Sequence, residues 1–174
     1  MLYFIRHGES EANVLGLFAG QDDDSKLTPR GEQQALDAAH KLLAQGVKID
    51  QIVSSPLLRA RRTAEIMAPI LGIPIKAIIY DKRAMEYDPG ELTDTRMDEV
   101  TDEVRNRPHG EEDPVEFQHR VLSLVAELKT QPGNSLLVSH AGIDKTIQAH
   151  LTNLDPSKFY ELRETRNGEI VELG

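Results

Sequence analysis

The chain has 174 residues, 39% of them hydrophobic and 28% charged, the size and make-up of one globular domain with a single sizeable core. Its 20 Lys and Arg against 29 Asp and Glu give a formal net charge of −9, which argues against nucleic acid or an anionic membrane as a partner. There is no cysteine, which excludes disulfides, thiolate metal sites and a cysteine nucleophile.

Met1 to Ile5 is a continuous apolar run, as in a buried strand of a parallel sheet, and it leads straight into Arg6, His7 and Gly8. Ligands of open α/β sheets lie beyond the carboxyl ends of the strands, so an arginine and a histidine stand where such folds keep their chemistry. Gly8 is expected to allow a sharp turn and a close approach to a ligand. Glu11 to Lys26 reads as a loop that includes the run Asp22-Asp23-Asp24, a solvated segment or one near the mouth of a pocket. Ser10 either lines that pocket or starts a turn.

Thr28 and Pro29 predict a helix start, with Ala35, Leu36, Ala39, Leu42 and Leu43 at helical spacing and Gly46 at the end. Ile49 to Ser54 reads as a second strand, Leu57 to Leu71 as a helix, and Ile73 to Tyr80 as a third strand. Asp81 to Pro114 is polar, rich in Pro and Gly, and reads as a lid or binding insert with a short helix near Asp94–Val104. Pro114 to Thr130 predicts a helix with Val115, Val121, Leu122, Val125 and Leu128 on its apolar side. Ser135 to Ser139 is a strand, followed by His140, Ala141, Gly142 and a helix to about Leu151. Residues 159–162 and 170–173 around Asn167-Gly168 read as a terminal hairpin. The alternation predicts an α/β fold, a three-layer αβα sandwich on a mostly parallel sheet. No apolar run is long enough to span a bilayer, and the opening strand is preceded by neither a basic nor a cleavable apolar segment, so a cytoplasmic protein is expected.

Three strands end in polar groups: Arg6-His7-Gly8, Ser54-Ser55-Pro56 leading to Arg59, and Ser139-His140-Ala141-Gly142. Parallel strands bring these ends to one edge, so two histidines and two arginines share a crevice. Arginine presents a planar fork that matches phosphate oxygens. Histidine can serve as nucleophile or acid/base, and a second one can stabilise charge. A cationic pocket inside an acidic protein suits a small phosphate dianion. Ser54 and Ser55 are expected to bond backbone, His40, His119 and His150 to be structural or exposed, and His109 to sit on a loop surface.

The ordered set of motifs resembles the histidine phosphatase superfamily, the phosphoglycerate mutase-like family. The matching segments are Arg6-His7-Gly8-Glu9, Asn13, Leu27-Thr28-Pro29-Arg30-Gly31, Ser54 to Ala60 with Thr63-Ala64-Glu65, and Val138-Ser139-His140-Ala141-Gly142. The resemblance implies that His7 is the nucleophile and forms a phosphohistidine. It implies that Arg6, Arg59, Asn13, His140 and the Ala141 backbone hold the phosphoryl group, and that Glu86 is the proton donor. Asp88 and Glu91 are neighbouring carboxylates that could take the donor role instead. Five features depart from the family pattern: Gly90-Glu91 runs directly into Leu92-Thr93, Pro89 replaces an aromatic, Ala84 and Met85 loosely replace a leucine–variable pair, Arg62 stands where many members carry glutamine, and Gly110-Glu111-Glu112 replaces Gly-Glu-Ser. The implied partner is a small phosphorylated substrate, with no cofactor and no metal; the oligomeric state is left open. Three functions compete: a phosphomonoesterase, a phosphoglycerate mutase, and a non-catalytic member that binds a phosphorylated ligand.

Overall fold

The computed structural model describes residues 1–21, 25–101, 103, 108–154 and 162–173. Five strands form one sheet in the order β3-β2-β4-β1-β5, where β1 is Leu2–Arg6, β2 Gln51–Ser54, β3 Ile79–Tyr80, β4 Ser135–Ser139 and β5 Ile170–Glu172. All pairings are parallel except that of β5, which runs antiparallel to β1. The helices are α1 (Glu11–Leu15), α2 (Pro29–Ala44), α3 (Leu58–Ile70), α4 (Pro114–Thr130) and α5 (Ala141–Leu151).

Alternation along the strands divides the core in two, because successive side chains of a strand point to opposite faces. Ile5, Ile52, Leu136 and Val138 pack against α2 and α3 through Ala35, Ala39, Ala60, Ala64 and Met67. Leu2, Phe4, Val53 and Leu137 pack on the other face against α4 and α5 through Phe117, Val121, Leu124, Val125, Ile143 and Ile147. The result is the three-layer αβα sandwich. The chain leaves β1 toward one face and β4, its neighbour, toward the other. This divergence opens a crevice beyond their carboxyl ends.

Local chemistry explains the element ends. Thr28 accepts from the Gly31 N–H at 3.0 Å and Pro29 opens α2, as its sequence predicts. Asp113 caps α4 by accepting from Val115 and Glu116. Several expectations need correction. The loop after β1 contains α1, closed by a capping box between Ser10 and Asn13, so Ser10 starts a helical turn. The third strand begins only at Ile79. Pro74 lacks an N–H for a ladder, and Ile75–Ala77 form a 3₁₀ turn that bonds back on itself. Val115 is 73% exposed, and Phe117 takes the core position instead. The insert carries 3₁₀ turns at Lys82–Ala84 and Gly90–Leu92; of the predicted short helix, Asp94 to Thr101 form turns and a bridge, Glu103 is helical, and residues 102 and 104 lie outside the described residues.

Of the predicted terminal hairpin, residues 159–161 of the first arm lie outside the described residues and Leu162 is in a bend. The second arm is β5, which runs antiparallel beside β1 and pairs Phe4 with Val171. Among the described residues, no helix is long and apolar enough to cross a membrane.

Candidate active site

Strand register decides which side chains meet. Arg6 pairs with Ser139 across β1 and β4, and Ser54 pairs with Val138 across β2 and β4. The ladder continues one step past each strand end, since the His7 N–H donates to Ser139 O and the Ser55 N–H donates to Val138 O. His7, His140 and Ser55 therefore emerge side by side at one sheet edge.

The rings of His7 and His140 lie edge to face with centroids 5.2 Å apart. Both are buried, at 3% and 0% exposure. His7 Nδ1 lies 2.7 Å from Gly8 O, which accepts only, so Nδ1 carries the proton and Nε2 keeps its lone pair. Burial, and then the charge of Arg59, push the His7 ring well below the ordinary histidine value, so it is neutral at pH 7. His140 Nε2 meets Ser55 Oγ at 2.8 Å, while its Nδ1 is buried with no partner among the described residues. Burial and then Arg59, His7 and Arg6 push His140 down as well.

Arg59 is 1% exposed on the first turn of α3, and its Nη2 donates to Gly20 O at 3.1 Å. Burying such a charge is costly unless an opposite charge or hydrogen bonds compensate it. Arg6 donates through Nη1 to Glu164 Oε1 and Thr165 O at 2.6 and 2.7 Å. Its buried Nε has no partner among the described residues. Asn13 Oδ1 accepts from Ser10 N at 3.1 Å and from Asn167 Nδ2 at 3.0 Å. The amide is therefore oriented with Nδ2 as its outward donor. Ala141 opens α5, where backbone N–H groups favour an anion.

Glu86 comes from the insert, yet its carboxylate reaches the same helix end. Oε2 accepts from Gly142 N at 3.1 Å and Oε1 from Tyr87 N at 2.9 Å. A Cβ on Gly142 would lie 2.3 Å from Glu86 Oε1, so the glycine makes room for the carboxylate. Asp88, by contrast, turns away to accept from Gly90 N, and Glu91 is exposed. The structure thus brings Arg6, His7, Asn13, Arg59, Glu86, His140 and Ala141 to one crevice, and of the three insert carboxylates only Glu86 reaches it. Asp22-Asp23-Asp24 lies outside the described residues.

Several supporting residues were not singled out from the sequence. Thr63 Oγ1 accepts from Gly8 N at 3.1 Å and fixes the turn that follows β1. Gln21 Nε2 donates to Glu86 O at 2.9 Å. Asn167 Nδ2 donates to His7 O at 3.0 Å, and Gly168 N donates to Arg6 O at 3.0 Å, so the tail closes over the end of β1. An Asn-Gly pair reads as a turn in any sequence, and only the β1–β5 pairing makes it part of this site. Ser54 bonds the backbone as expected; Ser55 does so too, through Leu57 N, but also holds His140. His40, His119 and His150 are exposed, while His109 is buried beside Glu111 and not on the loop surface. The departure at Arg62 is an exposed ion pair with Glu32, away from the histidines.

Comparison with known proteins agrees with this geometry. A family model described as the histidine phosphatase superfamily (branch 1) matches residues 2–174. A probable phosphoglycerate mutase of Salmonella choleraesuis is 36% identical over 153 residues, covering 80% of this chain and 68% of that protein. Among solved structures, the mycobacterial glucosyl-3-phosphoglycerate phosphatase complexed with VO3 superposes with a TM-score of 0.82 at 28% identity. It covers 97% of this chain and 90% of its own. A putative alpha-ribazole-5'-P phosphatase from Escherichia coli gives a TM-score of 0.80 at 27% identity, covering 97% and 87%.

Proposed function

We propose that this chain, which belongs to the histidine phosphatase superfamily (branch 1), hydrolyses small phosphate monoesters through a phosphohistidine on His7. The observation that carries the reading is the state of His7: neutral, buried beside two arginines, with Nδ1 tied to Gly8 O and Nε2 left as the nucleophile.

In the first step, His7 Nε2 attacks phosphorus and the bond to the ester oxygen breaks. The leaving oxygen takes a proton from the Glu86 carboxyl and departs as an alcohol. The non-bridging oxygens rest on Arg6, Arg59, Asn13 Nδ2, the Ala141 N–H and His140. Charge stabilisation by such fixed donors is the main lever in phosphoryl transfer. A bound phosphate dianion brings negative charge beside His140, which favours a proton on that ring. In the second step, water attacks the phosphohistidine, its proton passes to the Glu86 carboxylate, and inorganic phosphate leaves with His7 restored.

A phosphoglycerate mutase is the second reading, favoured by the named relative at 36% identity. It requires spare cations for a substrate carboxylate and for a doubly phosphorylated intermediate. The insert offers few. Arg96 is exposed and paired with Asp98 and Glu99, and Arg120 is bonded to Glu112 and to backbone carbonyls. Arg105 and Arg107 lie outside the described residues. These engagements support hydrolysis.

Two measurements test the proposal. His7→Ala should abolish both turnover of an aryl phosphate and acid-labile phosphate labelling. His140→Ala should keep labelling and slow turnover by ~10²–10³, as for loss of one charge-stabilising donor. Full activity in His7→Ala would refute the assignment. With 3-phosphoglycerate and catalytic 2,3-bisphosphoglycerate, phosphate release should exceed isomerisation; the opposite result would select the mutase.

A further inference from the structure

The insert that carries Glu86 has little regular structure, yet a proton donor must be held in place to act. One side chain supplies the constraint. Arg120, on α4, has five N–H donors, and five protein acceptors receive them. Nη1 donates to Arg83 O at 2.9 Å and to Met85 O at 2.7 Å, and Nη2 donates to Glu86 O at 3.0 Å. Nε and Nη2 grip the Glu112 carboxylate at 2.6 and 2.8 Å in a two-pronged pair. The guanidinium also sits 4.7 Å from the centroid of the Phe117 ring, one turn earlier on α4. Glu112 in turn accepts from Asp88 N at 3.3 Å and from Gln21 Nε2 at 3.4 Å, the same amide that donates to Glu86 O. The backbone on both sides of Glu86 is thus fastened to one cation and its counter-ion. That ion pair is itself anchored on a helix of the sandwich.

From this arrangement we propose that Arg120, with Glu112, is the positioning residue for the proton donor: it acts on the reaction only through Glu86, by fixing the backbone from Arg83 to Glu86. The proposal rests on the reading of Glu86 given above. Lysine cannot replace the group, because an ammonium has three donors on a flexible stem and no fork to span three carbonyls and a carboxylate.

A proton donor matters in proportion to how poor the leaving group is. Loss of its proton delivery slows alkyl phosphates strongly and barely affects p-nitrophenyl phosphate, whose phenolate leaves unaided. A general loss of structure slows all esters alike. The test therefore measures kcat/KM over a series from p-nitrophenyl phosphate through phenyl phosphate to glycerol phosphate, in the full chain and in Glu86→Gln, Arg120→Lys, Arg120→Met and Glu112→Gln. The proposal expects the wild type to vary little across the series and Glu86→Gln to fall by ~10² or more at the alkyl end. Both Arg120 variants should reproduce that steep dependence while kcat/KM for p-nitrophenyl phosphate, which reports only the phosphorylation step, stays within a few-fold of wild type. Glu112→Gln should lie between, and Arg120→Met should add little to Glu86→Gln in the double variant.

An equal loss on every ester, or no change in leaving-group dependence where Glu86→Gln shows one, would overturn the positioning role alone. A wild type inactive on all three esters, or a flat Glu86→Gln profile, would overturn the underlying reading and the proposal with it. Arg120→Lys keeps the charge at its position and Glu112→Gln keeps the shape at its own, and they carry the test if Arg120→Met does not fold.

Discussion

At the residue scale, the unusual feature is that both site histidines are held neutral. Burial, followed by Arg59, lowers each well below the ordinary histidine value. In the unfolded chain both rings take up protons near pH 6.5, while in the folded chain they do so only at lower pH. Below about pH 6.5 the unfolded state therefore binds more protons, and stability falls as pH falls, by about 1.4 kcal/mol per pH unit for each histidine until its folded value is reached. Urea unfolding at pH 7.5 and 5.5 should show that drop, and His7→Gln should remove about half of it. Equal stability at the two pH values would contradict the assigned protonation states. A phosphate dianion should weaken the effect by favouring a proton on His140.

At the scale of elements, the catalytic turn and the start of α2 are in backbone contact. A Cβ on Gly8 would lie 2.2 Å from Gly31 O, and one on Gly31 would lie 2.0 Å from Glu9 O. Neither residue has a positive φ, so these glycines serve space and not a left-handed turn. At Gly8 the close neighbour is the backbone at the start of α2. Because the opposing atoms are backbone, no side chain can swing aside. Gly31→Ala should cost about 1–3 kcal/mol by overpacking and should also depress turnover, since it displaces the segment carrying His7. Denaturant unfolding together with aryl phosphate hydrolysis checks both. The contrast is Gly46→Ala, where nothing lies within 4 Å but φ is +71°, so stability should fall while turnover is unaffected.

At the scale of the whole molecule, a chain of net charge −9 concentrates buried cations at one sheet edge. An anion of the right shape should therefore stabilise the fold: at 100 times its Kd, phosphate or vanadate adds about 2.7 kcal/mol, visible as a raised Tm. Both should inhibit competitively, because they mimic the transferring group. The clamp is built from side chains and backbone N–H groups, so hydrolysis should survive chelator treatment. A divalent-metal requirement abolished by chelation would contradict the mechanism.

Local physical chemistry made much of this protein legible from its sequence. Apolar runs ending in Arg6-His7, Ser54-Ser55 and Ser139-His140 marked parallel strands with polar ends, and Thr28-Pro29 and Pro114 marked helix starts. These signals act within a few residues, and the motif set that carries Arg6, His7, Arg59 and His140 rests on them. Four things were decided only in three dimensions. β5 paired with β1 at the other end of the chain, because ladder partners are chosen by which edge is open and not by nearness in sequence. Asn167 entered the site by that same pairing. Glu86, on an irregular insert, was distinguished from Asp88 and Glu91 only by its reach to Gly142 N. Arg120 looked like one more scattered arginine, because a guanidinium that satisfies its donors on carbonyls 34 to 37 residues away leaves no local pattern to read.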